Sequence, residues 1–488
     1  MPHAPPFVCG CVREEPPLPI TMTAAFVSPD AIRSLFSQAM SDMYRTEVPQ
    51  YGTLLNLVAD INQHTLAHNP ALREALAQAG DMDRIDVERH GAIRLGTAHE
   101  LATLSRLFRV MGMQPVSYYD LSVAGVPVHA TAFRPVDDEA LRINPFRVFT
   151  SLLRLELIDD PALREQARQI LARRAIFTDE VLALLHQCER DGGLDADHAA
   201  RFVAALLPTF RWHPTATVDA ATYRQLLNAH RLVADVVCFR GPHINHLTPR
   251  TLDIDAAQAE MPRRGIEAKA VVEGPPRRRC PILLRQTSFK ALQEVIAFPQ
   301  ASGTGTHADT HTARFGEIEQ RGVALTRKGR ALYDQLLAQV RNIDGAGSTA
   351  HDYAERLTAA FQAFPDDAPS LHAQGLAFYR YTVLDPAAFS RHAHAADDLD
   401  LPALLRANVV GLQPIVYEDF LPVSAAGIFQ SNLGGQEARS YAAQSAQLAF
   451  EQALGRPVLD EFEIYAGMQQ RSLQALQAQF AHGKTVAA

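Results

Sequence analysis

Residues 89–121, RHGAIRLGTAHELATLSRLFRVMGMQPVSYYDL, and residues 244–276, INHLTPRTLDIDAAQAEMPRRGIEAKAVVEGPP, share one layout. In each, a histidine stands in an extended segment, an amphipathic helix follows, then a glycine, then another strand. The chain therefore reads as carrying one module twice. The first copy continues as a helix over 98–111, strands over 116–121 and 126–133, and the longer apolar segment LRINPFRVFTSLLRLELI. The second passes through PILLRQTSF, a half-buried strand by its alternation, and closes with ARFGEIEQRG, a strand that carries Glu317 between Phe315 and Gln320.

A pseudo-twofold pairing of two such modules brings equivalent strands together at one cavity, so His90, His246 and Glu317 are expected to converge on a metal. Two imidazoles and one carboxylate on one face of an iron leave its other positions open to substrate and dioxygen, the facial triad of non-haem Fe(II) oxygenases. A structural zinc would want four ligands, usually with thiolates at short spacing. Each expected ligand has a neighbour of its own kind. His243 is three residues from His246, and on a strand that odd offset sends the two to opposite faces. Glu319 is two residues from Glu317 and shares its face, so periodicity does not choose between them. The run HADTH (residues 307–311) follows ASGTGT and reads as a polar loop, and His99 reads as a helix-start residue.

Arg94 shares a strand face with His90, its Cα about 13 Å away at roughly 3.3 Å per residue, and its side chain is long enough to reach back toward the metal. A guanidinium grips a carboxylate through two parallel bonds, which suits a carboxylate of a substrate bound at the metal; a salt bridge to a scaffold acid is the other reading. Arg285 and Gln286 fall on opposite faces of their strand, so one of them faces the cavity.

Composition narrows the class. Of 488 residues 47% are hydrophobic, enough for a large core, and no Gly/Ser linker or long charge run divides the chain. A net charge of −8 leaves no electrostatic footprint for nucleic acid. No apolar run approaches the roughly 20 residues that span a bilayer, so no membrane role is expected. Five dispersed cysteines form no disulfide framework, which points to a reducing compartment and a cytoplasmic protein. The expected organisation is a disordered leader (1–21), N-terminal helices (22–83), a first βαβββ module (84–158), a helical insertion (159–235), a second βαβββ module (236–325) and a helical C-terminal region with an active-site wall (326–488). The last helix is expected over about 437–480.

The repeat and its third ligand resemble the vicinal oxygen chelate superfamily, whose paired βαβββ modules form a cupped sheet around a metal; the fold class expected is α+β with large helical additions. FGEIEQRG is similar to the strand of 4-hydroxyphenylpyruvate dioxygenases that supplies the iron-binding glutamate, which selects Glu317, and INHLT resembles the segment opening the second module there, which selects His246. From Met22 onward, RHGAIRLGT, GPHINHLTPR, RFGEIEQRGVALT and EDFLPVSAAGIF resemble motifs of the 2-oxoadipate dioxygenase/decarboxylases, or hydroxyglutarate synthases. That resemblance implies Fe(II) as cofactor, a 2-oxo dicarboxylate and dioxygen as small-molecule partners, and oxidative decarboxylation of 2-oxoadipate to (D)-2-hydroxyglutarate and CO2, as in lysine catabolism. Arg94, by its place on the strand face of His90, is expected to act in catalysis and substrate binding, and the resemblance implies that Val423 and Ser424 line the substrate site.

Overall fold

Strand β1 (Arg89–Leu95) and the helix Ala98–Val110 open the first copy of the repeat. The computed structural model describes residues 26–269, 271–289, 293–299, 306–311, 314–341, 350–395, 398–421 and 436–485. Thr97 turns strand into helix: its hydroxyl accepts from the Glu100 amide, while the Glu100 carboxylate accepts from the amides of Gly96 and Thr97, a capping box. Leu101, Leu104, Leu107 and Phe108 make one buried stripe on this helix. The chain returns as β2 (Gln114–Asp120), β3 (Val128–Arg134) and β4 (Arg147–Leu153). β4 lies parallel to β1 and antiparallel to β3, which is antiparallel to β2.

The second copy begins with β5 (Leu247–Pro249), which pairs antiparallel with β1 and sets Thr248 opposite His90. The helix Ile254–Glu260 follows, capped by Asp253. The next strand is represented by two isolated bridges, Ala268 with Phe289 and Glu273 with Gln286, that lie along β6 (Leu284–Ser288). β6 is antiparallel to β9 (Glu317–Arg321), and a parallel bridge between Arg250 and Glu319 joins β9 to the end of β5. In both copies, then, the first and last strands are parallel neighbours. The copies meet at β1 and β5, which gives a strand succession β2-β3-β4-β1-β5-β9-β6 and an α+β architecture.

Two expectations are corrected. HADTH is a strand, not a loop: β8 (Thr306–His311) pairs with β7 (Glu294–Pro299) in a hairpin set between β6 and β9. Its polar letters hide the anchor, which is Ile296 and Phe298 of the partner strand, both buried, together with the buried His311. The expected single C-terminal helix is two, Gln436–Leu454 and Glu461–Thr485. Gly455 in the left-handed region (φ +79°) and Pro457 two residues on end the first of them.

Helices Pro29–Glu47 and Pro49–His68 pack over the first copy; Ser28 caps the former, with Pro29 at its first position. Helices Pro161–Ala172, Asp179–Asp191 and Ala196–Leu206 lie between the copies in sequence. Strands β10 (Tyr379–Val383) and β11 (Val410–Pro414) form an antiparallel pair, after which residues 415–421 return to the repeat through a bridge between Val323 and Val416. Among the described residues, no helix is long and apolar enough to cross a membrane.

Candidate metal centre

His90 is flanked on β1 by Arg147 of β4 and Thr248 of β5. His246 stands two residues before Thr248, and Glu317 opens β9. Backbone hydrogen bonds tie these segments together: the Asn245 amide donates to the Ala92 carbonyl (2.9 Å) and the Phe315 amide to the Asn245 carbonyl (3.1 Å). From the N-terminal helix, the buried Tyr44 hydroxyl reaches the carbonyls of Phe315 (2.9 Å) and Asn245 (3.2 Å), bracing both.

The three side chains converge. Nε2 of His90 lies 3.1 Å and Nε2 of His246 3.7 Å from Glu317 Oε1, and the three candidate ligand atoms lie within 4.8 Å of one another. The Thr248 hydroxyl (2.9 Å) and the Gln286 side-chain amide (3.1 Å) also donate to Oε1. Two nitrogens and a carboxylate in this buried grouping fit a divalent metal of the first transition row. His246 Nδ1 is buried with no hydrogen-bond partner among the described residues, and it is Nε2 that lies toward Glu317.

Electrostatics suit a cation. Burial opposes charge on Glu317, but His246, His90 and the Thr248 bond outweigh it and hold the carboxyl down at about 2. Burial takes His246 down to about 4, against the pull of Glu317, which leaves a neutral imidazole. Burial works against protonation of His90 too, yet the charge of Glu319 and the hydrogen bond to Glu317 raise its pKa.

Glu319 is the residue that sequence reasoning left without a role. Its Oε2 is 3.1 Å from His90 Nδ1, close enough for a strong charge contact, although the geometry is not that of an aligned hydrogen bond. Arg147 Nη2 clamps both Glu319 oxygens at 3.0 and 2.8 Å, and Arg321 Nε lies 2.9 Å away. Behind them Arg321, Arg84 and Arg250 meet Glu88 at 2.6, 3.2 and 3.0 Å, while Arg84 and Arg321 both meet Glu418. A fully buried carboxylate is stable only when so paired. The signal in sequence was the shared face of Glu317 and Glu319; which strand would present His90 to them was not in it.

Phe420 stands edge-on to His90 (4.9 Å between centroids) and under the Arg147 guanidinium, and Phe315 packs on His246 (4.6 Å). Gln286, not Arg285, faces the site; Arg285 pairs instead with Asp255. His243 points away, its Nε2 3.4 Å from Asp235, and His99 is exposed at the start of its helix. Arg94 donates from Nη1 to Asp235 Oδ2 at 2.7 Å, with 26% of its side chain exposed, and its charge contributes to lowering the His246 pKa. Val423 and Ser424 lie outside the described residues; the segment leading to them, Glu418 to Leu421, is buried against the site.

A family model described as 2-oxoadipate dioxygenase/decarboxylase matches residues 36–432. The chain is 60% identical over 454 residues to the 2-oxoadipate dioxygenase/decarboxylase of Pseudomonas putida, covering 92% of this chain and 97% of that one. It is 58% identical over 447 residues to the Escherichia coli protein of the same name, covering 91% and 98%. The crystal structure of the Pseudomonas putida hydroxyglutarate synthase in complex with 2-oxoadipate superposes with a TM-score of 0.85 at 57% identity, covering 93% of this chain and 99% of that one. With a model match over most of its length and relatives this similar, the chain belongs to the 2-oxoadipate dioxygenase/decarboxylase family.

Proposed function

We propose that the protein is an Fe(II)-dependent dioxygenase that oxidatively decarboxylates 2-oxoadipate to (D)-2-hydroxyglutarate and CO2. The observation that carries this reading is the meeting of His90, His246 and Glu317 at one buried point in a chain of this family. His90, His246 and Glu317 would hold Fe(II), which when bound would supply activation of dioxygen and chelation of a 2-oxo acid. The stoichiometry needs no external reductant: one dioxygen is consumed, one CO2 leaves, and both oxygen atoms are accounted for between the new carboxylate and the new hydroxyl.

The residues around the centre bind and orient. Glu319 keeps His90 turned with Nε2 toward the metal position, as partners of metal-bound imidazoles do. Thr248 and Gln286 hold the Glu317 carboxylate in place. Phe420 and Phe315 line the two imidazoles with apolar surface and keep water from them. Arg94 receives the distal carboxylate of the substrate with the donors that Asp235 does not use, since a guanidinium carries five N–H groups.

Protein reconstituted anaerobically with Fe(II) and offered a panel of 2-oxo acids tests the reading. Oxygen uptake equal to CO2 release is expected with 2-oxoadipate, without added 2-oxoglutarate, and labelled dioxygen should appear in both the hydroxyl and the new carboxylate. Unchanged turnover under argon would overturn it in favour of an isomerase on the same scaffold.

A further inference from the structure

Asp235 lies outside the metal centre, on the helix Arg231–Val237, with only 5% of its side chain exposed. Oδ2 accepts from Arg94 Nη1 at 2.7 Å. Oδ1 accepts from His311 Nε2 at 3.0 Å and lies 3.4 Å from His243 Nε2. His311 is itself fixed: the Tyr223 hydroxyl is 2.8 Å from its Nδ1, and its ring lies parallel to the indole of Trp212. Charges on His243 and Arg94 and the bond to His311 keep the Asp235 carboxyl ionised despite its burial.

This cluster gathers side chains from four places in the sequence: β1, the helical insertion, the segment before β5, and the β7–β8 hairpin. Asp235, His243, His311 and Tyr223 are buried, and Trp212 is partly so. Arg94 has 26% of its side chain exposed, and it is the one member on the same strand face as His90. A buried chain of partners that ends in a single accessible guanidinium is a device for holding that guanidinium in one orientation. Arginine has many rotamers, and a carboxylate gains two parallel bonds from it only when the fork is already aimed.

We propose that Asp235, buttressed by His311, is the positioning residue that aims Arg94, and so sets the preference of this enzyme for 2-oxo acids with a distal carboxylate. The proposal rests on the reading of Arg94 as the group that binds that carboxylate. Asp235 does not touch substrate or metal; it acts through Arg94.

The test compares steady-state constants for 2-oxoadipate and for 2-oxohexanoate, a six-carbon acid without the distal carboxylate, on the Fe(II) enzyme and its variants. Asp235→Asn removes the charge at constant shape, and Asp235→Glu keeps the charge but displaces it. Both should stay folded with iron bound, at a lowered melting temperature, and raise KM for 2-oxoadipate by about ten- to a hundredfold, with kcat and the 2-oxohexanoate constants little changed. In an Arg94→Ala background Asp235→Asn should alter the ratio of the two substrates no further. If Arg94→Ala erases the dicarboxylate preference while Asp235→Asn and Asp235→Glu preserve it, the proposal fails and Asp235 is a scaffold acid. If Arg94→Ala itself leaves the preference intact, the reading of Arg94 fails, and with it the basis for the proposal.

Discussion

Glu317 and Glu319 stand two residues apart on one strand, and His90 touches both, through Nε2 and Nδ1 respectively. One carboxylate shares the convergence point with His246; the other sits behind the ring, clamped by Arg147 and Arg321. They should therefore fail differently. Glu317→Ala, His90→Ala and His246→Ala are expected to abolish iron binding, whereas Glu319→Gln should weaken it by about ten- to a hundredfold, the usual effect of losing the partner of a metal-bound imidazole. His243→Ala should retain iron. Anaerobic Fe(II) titration of each variant checks this, and retention of stoichiometric iron by Glu317→Ala with its loss in Glu319→Gln would exchange the two roles.

At the scale of the element, β9 is placed by its neighbours more than by its own sequence. Gly316, just before Glu317, passes so close to Phe289 that an added Cβ would fall 1.6 Å from the ring, and the Phe289 amide donates to the Gly316 carbonyl at 3.0 Å. Phe289 is buried in the main core, so the ring has little room to yield. Gly316→Ala is expected to push the start of β9 aside, costing about 1–3 kcal/mol of stability and loosening iron binding through Glu317. Wild-type iron affinity in that variant would show that β9 can shift without moving the carboxylate.

β3 offers a pH-dependent case. His129 is buried beneath Phe450 of the helix Gln436–Leu454, and burial, aided by Arg154, lowers its pKa from 6.5 to about 4. The native state thus resists a proton that the unfolded chain accepts. Its contribution to stability is complete above pH 6.5 and is lost as pH falls toward 4, amounting to about 2 kcal/mol by pH 5. Denaturation midpoints of wild type and His129→Phe measured from pH 7.5 to 5 should shift in favour of the variant by that amount. A difference that stays constant over the range would remove His129 from the acid sensitivity.

For the whole molecule, the centre joins parts distant in sequence: β1 of the first copy, and the entry to β5 and the start of β9 in the second. Glu418, reaching in from beyond β11, adds the C-terminal region through Arg84 and Arg321. A ligand bound only by the folded state stabilises it, by about 2.7 kcal/mol at a hundredfold excess over its Kd. Anaerobic Fe(II) should raise the urea midpoint of the wild-type protein accordingly and leave Glu317→Ala unmoved. An equal rise in both would place the stabilising iron elsewhere.

The local signals were strong where chemistry is local. Apolar spacing marks the helix Ala98–Val110, alternation marks the segment of β6, and the repeated histidine-helix-glycine layout marks two copies of one unit. These depend on backbone and side-chain preferences acting over a few residues, so a linear chain carries them. Other features depend on which surfaces meet. HADTH looks like loop because its strand character comes from pairing with β7; the break at Gly455 is by contrast a local signal, glycine followed by Pro457, set within a long helical pattern. Gln286 is separated from Arg285 only by the neighbour across from it. Glu319 becomes the partner of His90, and Asp235 that of Arg94, through pairings 229 and 141 residues apart, which carry no periodicity along the chain and arise only when packed strands and helices bring the charges together in a medium where each must be paired.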